Sequence, residues 1–116
     1  NKQKVIFQII EEAVNNARKH AQASLIQVGF RNMPENNDIA LLEIIDNGVG
    51  FNVEEVSGSY ERRGSFGMVN LNERTSLING RLHIDSTPGK GTRIQVAIPL
   101  TEKGIDWLQS RSSTKR

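Results

Sequence analysis

Residues 39–46, Ile-Ala-Leu-Leu-Glu-Ile-Ile-Asp, limit the folds open to this chain more than any other stretch, because six of the eight are apolar. A run this short and this apolar reads as a strand at the centre of a sheet. It stops at Asp46-Asn47-Gly48-Val49-Gly50, a breaker sequence. A central strand needs neighbours, and three other segments qualify. Residues 24–32 alternate like a strand with one buried face, and the Asn-rich stretch from Pro34 to Asp38 reads as the turn between the two. Residues 81–86 and 92–100 are two more strands, with Thr87-Pro88-Gly89-Lys90-Gly91 as their hairpin loop.

Two helices accompany the strands. Val5, Ile6, Ile9, Ile10, Ala13, Val14 and Ala17 recur at helical spacing and predict a helix over 3–20. A second is expected from about Phe66 to Asn79, with Gly80 as its C-cap. Residues 52–66 have weak periodicity, Ser57-Gly58-Ser59 and a charged run at Glu61-Arg62-Arg63, and read as a mobile loop. The order helix, two strands, loop, helix, two strands predicts an α/β two-layer sandwich, its sheet mixed and mostly antiparallel, with helices covering one face. The expected domain is 1–100. Residues 101–116 are a polar, partly disordered tail in which Ile105, Trp107 and Leu108 dock a short helix.

Composition removes several classes of function. There is no cysteine, so disulfides and thiolate metal sites are excluded, and two histidines do not make a His-rich metal site. Fifteen Lys and Arg face thirteen Asp and Glu, and the excess lies entirely in 101–116, which leaves residues 1–100 neutral at eleven against eleven. A nucleic-acid binder would carry a basic face on the domain itself, so none is expected. No apolar run approaches the roughly 18 residues that span a bilayer. The sequence opens inside a helical pattern without an initiator Met, which predicts a piece of a longer protein.

Four elements carry candidate chemistry. At 100° per residue with Val5 at 0°, Glu12, Asn16 and Lys19 fall at about 340°, 20° and 320°, along one rim of the apolar stripe. An Asn carbonyl oxygen is a hard ligand suited to Mg²⁺, a Glu can orient or deprotonate a nucleophile, and a Lys can meet a phosphate. The same residues also suit the polar edge of an ordinary amphipathic helix. Asp46, closing an apolar strand, can accept a hydrogen bond from an exocyclic amine, and Gly48 and Gly50 let backbone approach a flat ligand. Asp-Asn-Gly is equally plain turn chemistry. Gly64-Ser65-Phe66-Gly67-Met68 opens a helix whose free amides would attract anions, or is a flexible hinge. Gly89-Lys90-Gly91-Thr92 is a hairpin turn whatever else it does.

Together and in this order, the four elements resemble the boxes of the Bergerat-fold, or GHKL, ATPases, and within them the catalytic domains of bacterial sensor histidine kinases. Glu12 to Ala21 is similar to the N box. Asp46, Gly48 and Gly50 match the D-x-G-x-G of the G1 box. Gly64 to Met68 resembles the G2 box, and Asn72-Glu73-Arg74 the helix after it. Gly89-Lys90-Gly91-Thr92 matches the last box. The resemblance covers roughly residues 5–100. The ending Lys19-His20-Ala21 looks most like the kinases paired with LuxR/NarL-type response regulators.

The resemblance implies ATP and Mg²⁺ as cofactors, with roles position by position. Asn16 is the Mg²⁺ ligand. Asp46 receives the adenine amine with Thr92 beside it, and Gly48 and Gly50 line the adenine pocket. Lys19 and His20 face the phosphates, which Gly64, Gly67 and Met68 cradle; Gly91 belongs to the same site. Residues 52–66 are the ATP lid. Catalysis rests on Glu12, Asn16 and Lys19. The G2 region departs from the family in being less glycine-rich, and Asn70 and Leu71 stand where related sequences often have Gly and Met. Neither His20 nor His83 is placed as a phosphoacceptor. The implied partners are a dimerisation and phosphoacceptor helical domain of the same parent protein and a response regulator downstream, in the cytoplasm, with no membrane contact by this domain. The alternatives are a serine kinase of the anti-sigma-factor type and a non-catalytic nucleotide-binding module. An ATP-driven clamp of the gyrase or chaperone kind needs more chain than 116 residues hold.

Overall fold

A computed structural model describes residues 1–19, 22–50 and 68–114. The elements in chain order are helix α1 (Lys2–Lys19), strands β1 (Ile26–Met33) and β2 (Asn36–Asp46), helix α2 (Met68–Leu77), strands β3 (Arg81–Ser86) and β4 (Thr92–Pro99), and helix α3 (Glu102–Thr114). The four strands form one antiparallel sheet in the order β1-β2-β4-β3, which places β2 in the interior of the sheet, as its apolar run requires.

Strand alternation divides the sheet into two faces. Ala40, Leu42 and Ile44 of β2 and Ile94, Val96 and Ile98 of β4 point to one side, where they pack with Ile9 and Ala13 of α1 and Leu71 of α2 in a single core. Burying each Ile or Leu stabilises the fold by about 1.5–3 kcal/mol relative to exposure. α1 starts at an Asn cap: Asn1 Oδ1 accepts from the Lys4 amide at 3.1 Å. α1 and α2 run antiparallel. Val5 and Ile78 line one groove, and Arg74 Nη1 donates to Gln8 Oε1 at 2.7 Å. The amino end of α2 therefore lies alongside the carboxyl half of α1.

Several boundaries differ from the sequence expectation for local reasons. The Asn-rich segment read as a turn belongs largely to β2, and the turn shrinks to Pro34-Glu35. Asn36 Oδ1 takes the Asp38 amide at 2.9 Å, and Asn32 Nδ2 reaches the Asn37 carbonyl at 3.3 Å across a bulge. Gly80 is not the residue that caps α2. Asn79 holds the left-handed conformation, with φ of 57°, and the Gly80 amide returns to the Thr75 carbonyl at 2.9 Å in a Schellman closure. Glycine follows for space: a Cβ at Gly80 would stand 2.9 Å from the Ala97 carbonyl oxygen.

The short helix expected in the polar tail is thirteen residues long, α3. It reaches the second face of the sheet. Gly104 sits so close to the Ile39–Pro99 pair that a Cβ there would lie 2.6 Å from the Asp38 carbonyl oxygen, and Arg81 Nη2 donates to the Leu108 carbonyl at 3.2 Å. Beyond α3 this face is polar. Arg93 Nε and Nη2 and Gln95 Nε2 all donate to Glu43 Oε2, at 3.0, 2.6 and 2.8 Å. The Arg93 bond holds the Glu43 carboxyl below the usual carboxylate range despite partial burial, with Gln95 and the nearby charge of Arg31 helping.

Candidate functional site

The candidate site gathers where β2 ends. Asp46 is paired on one side with Ile26 of β1 and on the other with Thr92 of β4, and both Asp46 and Thr92 are buried on the helix side of the sheet. Asp46 Oδ1 accepts from the Gly48 amide at 2.7 Å, so the Asp-Asn-Gly turn fixes the carboxylate as well as ending the strand. A carboxylate at a buried strand end with one oxygen held by a turn amide suits recognition of an amine donor, and the Thr92 hydroxyl lies on the neighbouring strand at the same level.

The two glycine motifs, some forty residues apart, meet here backbone to backbone. Gly50 and Gly91 have φ of 70° and 78°, the left-handed region. A Cβ on Gly50 would collide with the Thr87 carbonyl oxygen and stand 3.0 Å from that of Gly91, and a Cβ on Gly91 would collide with the Asp46 carbonyl oxygen. The Gly89 amide donates to the Val49 carbonyl at 2.5 Å. Gly50 thus permits a close approach of protein backbone at this corner.

The rim residues of α1 lie as the helical wheel placed them. Glu12 and Asn16 are half-buried and Lys19 exposed, flanking buried Ala13 and Ala17. The chain leads from Lys19 into β1 beside Asp46, so this end of α1, the Asp46–Thr92 corner and the amino end of α2 at Met68 share one end of the molecule. His20, Gly64, Gly67 and the expected lid at 52–66 lie outside the described residues.

Sequence reasoning missed three residues of this corner. Asn47 Oδ1 accepts from the Ser24 and Leu25 amides at 2.9 and 3.0 Å, and Asn47 Nδ2 donates to Ser24 Oγ at 2.9 Å. Ser86 Oγ donates to the Gly91 carbonyl at 3.1 Å and lies 2.8 Å from Thr92 Oγ1. Ser86 was findable, since it faces Thr92 across the hairpin. Ser24 and Asn47 were not, because nothing local to either announces a partner more than twenty residues away.

This arrangement has known counterparts. The chain belongs to the histidine kinase-, DNA gyrase B- and HSP90-like ATPases, a family that matches residues 1–102. An uncharacterized sensor-like histidine kinase of Chloroflexus aurantiacus is 50% identical over 95 residues, covering 82% of this chain and 16% of the relative. The oxygen sensor histidine kinase NreB of Staphylococcus carnosus is 36% identical over 98 residues, and the sensor protein VraS of Staphylococcus aureus 38% over 98; each match covers 84% of this chain. This chain spans 26% of the length of either. Among solved structures, the histidine kinase domain of the blue-light activated kinase EL346 of Erythrobacter litoralis superposes with a TM-score of 0.66 at 20% identity, over 89% of this chain and 46% of that one. The α/β sandwich with its antiparallel sheet is therefore the fold of histidine kinase ATPase domains.

Proposed function

We propose that this chain binds Mg-ATP and passes the γ-phosphate to a histidine on a separate helical phosphoacceptor domain of its parent protein, in the cytoplasm, for relay to a response regulator of the LuxR/NarL type. The observation that carries this reading is Asp46, buried at the strand end with its carboxylate held by the Gly48 amide and Thr92 alongside. Asp46 accepts the adenine amine, and Thr92, Gly48, Gly50 and Gly91 complete that pocket. Asn16, half-buried on the rim of α1, offers a carboxamide oxygen for Mg²⁺, and the residue types present fit that ion. When bound, Mg²⁺ supplies charge neutralisation at the phosphates. Lys19 and His20 meet the phosphates as donors. Gly64, Gly67 and the Met68 amide bind them, Met68 with the helix dipole at the amino end of α2. Residues 52–66 act as the lid.

In the transfer a bond forms between an imidazole nitrogen of the acceptor and the γ-phosphorus, the bond from that phosphorus to the ADP oxygen breaks, and the imidazole proton leaves to a base. Glu12 orients the nucleophile or takes that proton. The chain's contribution is mainly positioning.

A serine kinase of the anti-sigma-factor type would use the same nucleotide site. The similarity to sensor histidine kinases supports the histidine acceptor. Two measurements test the reading. Calorimetry should give tighter binding of ATP than of GTP, and Asp46→Ala should weaken ATP about ten- to a hundredfold, the cost of a buried hydrogen bond left unmade. Equal ATP and GTP affinities would remove the adenine role. With γ-labelled ATP, acid-labile label should appear only on an added helical domain carrying the parent's phosphoacceptor histidine. Label on this chain itself would sink the proposal, and acid-stable label on a partner's serine would favour the alternative.

A further inference from the structure

We infer that Asn47 is a positioning residue for base recognition: its side chain serves as one extra rung of the β-ladder and so fixes the turn from which Asp46 presents its carboxylate. The inference rests on the proposed adenine role of Asp46.

The β1–β2 register runs out at the Ile26–Asp46 pair. One step further the strands begin to part, and the Ser24 and Leu25 amides precede β1, where no strand residue of β2 remains to receive them. Asn47 receives both on Oδ1, while its own amide donates to the Leu25 carbonyl at 3.2 Å. Its Nδ2 completes the clasp on Ser24 Oγ. Four hydrogen bonds thus tie the residue after Asp46 to the connector that leads back to α1. On the opposite side Gly91 lies 3.3 Å from Asn47 Cα, measured from where its Cβ would stand, and against the Asp46 carbonyl.

The Asp46–Asn47 peptide is consequently gripped from both strands, and the Asx turn that aims the carboxylate, Gly48 amide to Asp46 Oδ1, starts from a fixed backbone. The Ala23 amide donates to the Ala17 carbonyl at 3.3 Å, which links the connector carrying Ser24 to the end of α1. An apolar residue at 47 would leave the Ser24 and Leu25 amides to water and let the turn swing. A carboxylate there would keep both amides bonded and could accept from Ser24 Oγ–H instead.

The experiment measures ATP and GTP affinities by calorimetry, with thermal melting in parallel, for the wild-type chain, Asn47→Ala, Asn47→Asp and Ser24→Ala. Asn47→Ala should lower the ATP-over-GTP preference about fivefold to tenfold, through ATP alone. Asn47→Asp should restore most of it, and Ser24→Ala should lower it about twofold. A clasp that merely stabilises the fold would lower the melting temperature and weaken both nucleotides together, and an unmoved preference in Asn47→Ala overturns the inference. If that variant does not fold, Ser24→Ala decides: a reduced preference with GTP binding unchanged supports the role, and an unchanged preference overturns it. A wild-type chain without preference for ATP overturns the adenine reading of Asp46, and the positioning role with it.

Discussion

The proposed adenine corner and the proposed phosphate rim are built in opposite ways. At the corner, Asp46 and Thr92 sit buried in a β-ladder, with Gly50, Gly91, Asn47 and Ser86 fixing them through backbone and short side-chain bonds. On the rim, Glu12, Asn16 and Lys19 stand at the boundary of core and solvent, carried by one helix. A flat neutral base is recognised by position, and a ladder supplies position before the ligand arrives. A triphosphate is recognised by charge, which tolerates exposed side chains and needs an ion. The difference implies that changes at the corner should disturb binding and stability together, while changes on the rim should disturb transfer with little effect on the fold.

The strongest test of that division is Asn16→Ala. It should reduce phosphotransfer to the helical acceptor by more than about a hundredfold while ATP affinity and melting temperature change little. A radiolabel transfer assay beside calorimetry separates the two, and near-normal transfer would take Asn16 out of the site.

Gly91→Ala should do the reverse. Left-handed backbone at a non-glycine residue costs about 1–3 kcal/mol, and the new Cβ also meets the Asp46 carbonyl. Denaturant melts should show the loss, with ATP binding weakened in the same variant. A variant as stable as wild type would mean that the two glycine loops can part without cost.

Gly80→Ala is a control at the far end of α2. Its Cβ would crowd the Ala97 carbonyl at 2.9 Å and Thr75 Cγ2 at 3.0 Å, so stability should fall by about 1–2 kcal/mol. ATP affinity of the folded fraction should not move. A change in affinity without a change in stability would show that the nucleotide site reaches further along α2 than the corner and the rim.

The smallest effect belongs to the polar face. The Arg93 bond depresses the folded-state pKa of Glu43, so its contribution is fully present above the ordinary glutamate pKa and fades as pH falls through the lower folded value. Glu43→Gln should cost under about 1 kcal/mol at neutral pH, because Arg93 is 48% exposed and the pair is screened, and the difference from wild type should vanish in acid. Urea melts at neutral and acid pH check this, and a larger loss would mean that the second face matters more to the fold than its exposure suggests.

Much of the fold was legible before any coordinates. The apolar run at 39–46 required an interior strand, the 3.6-residue stripe on α1 placed Glu12, Asn16 and Lys19 on one rim, and the breakers at 46–50 and 87–91 marked where strands end. These signals are local: period, propensity and turn chemistry act within a few residues of one another.

What tertiary structure alone decided is whatever depends on which distant segments touch. Asn79 rather than Gly80 takes the left-handed cap, while Gly80 makes room for the close approach to the Ala97 carbonyl. The short docked helix expected in the tail extends over thirteen residues, 102–114, with Gly104 and Leu108 buried. Asn47 reads as an ordinary turn residue until the β1–β2 register brings the Ser24 and Leu25 amides to its side chain, and Gly50 and Gly91 read as separate loops until the sheet order sets them against each other. Hydrophobic periodicity is written along the chain, whereas the partner of a particular amide or the neighbour of a missing Cβ exists only once long loops have closed, and a single sequence carries no local mark of that closure.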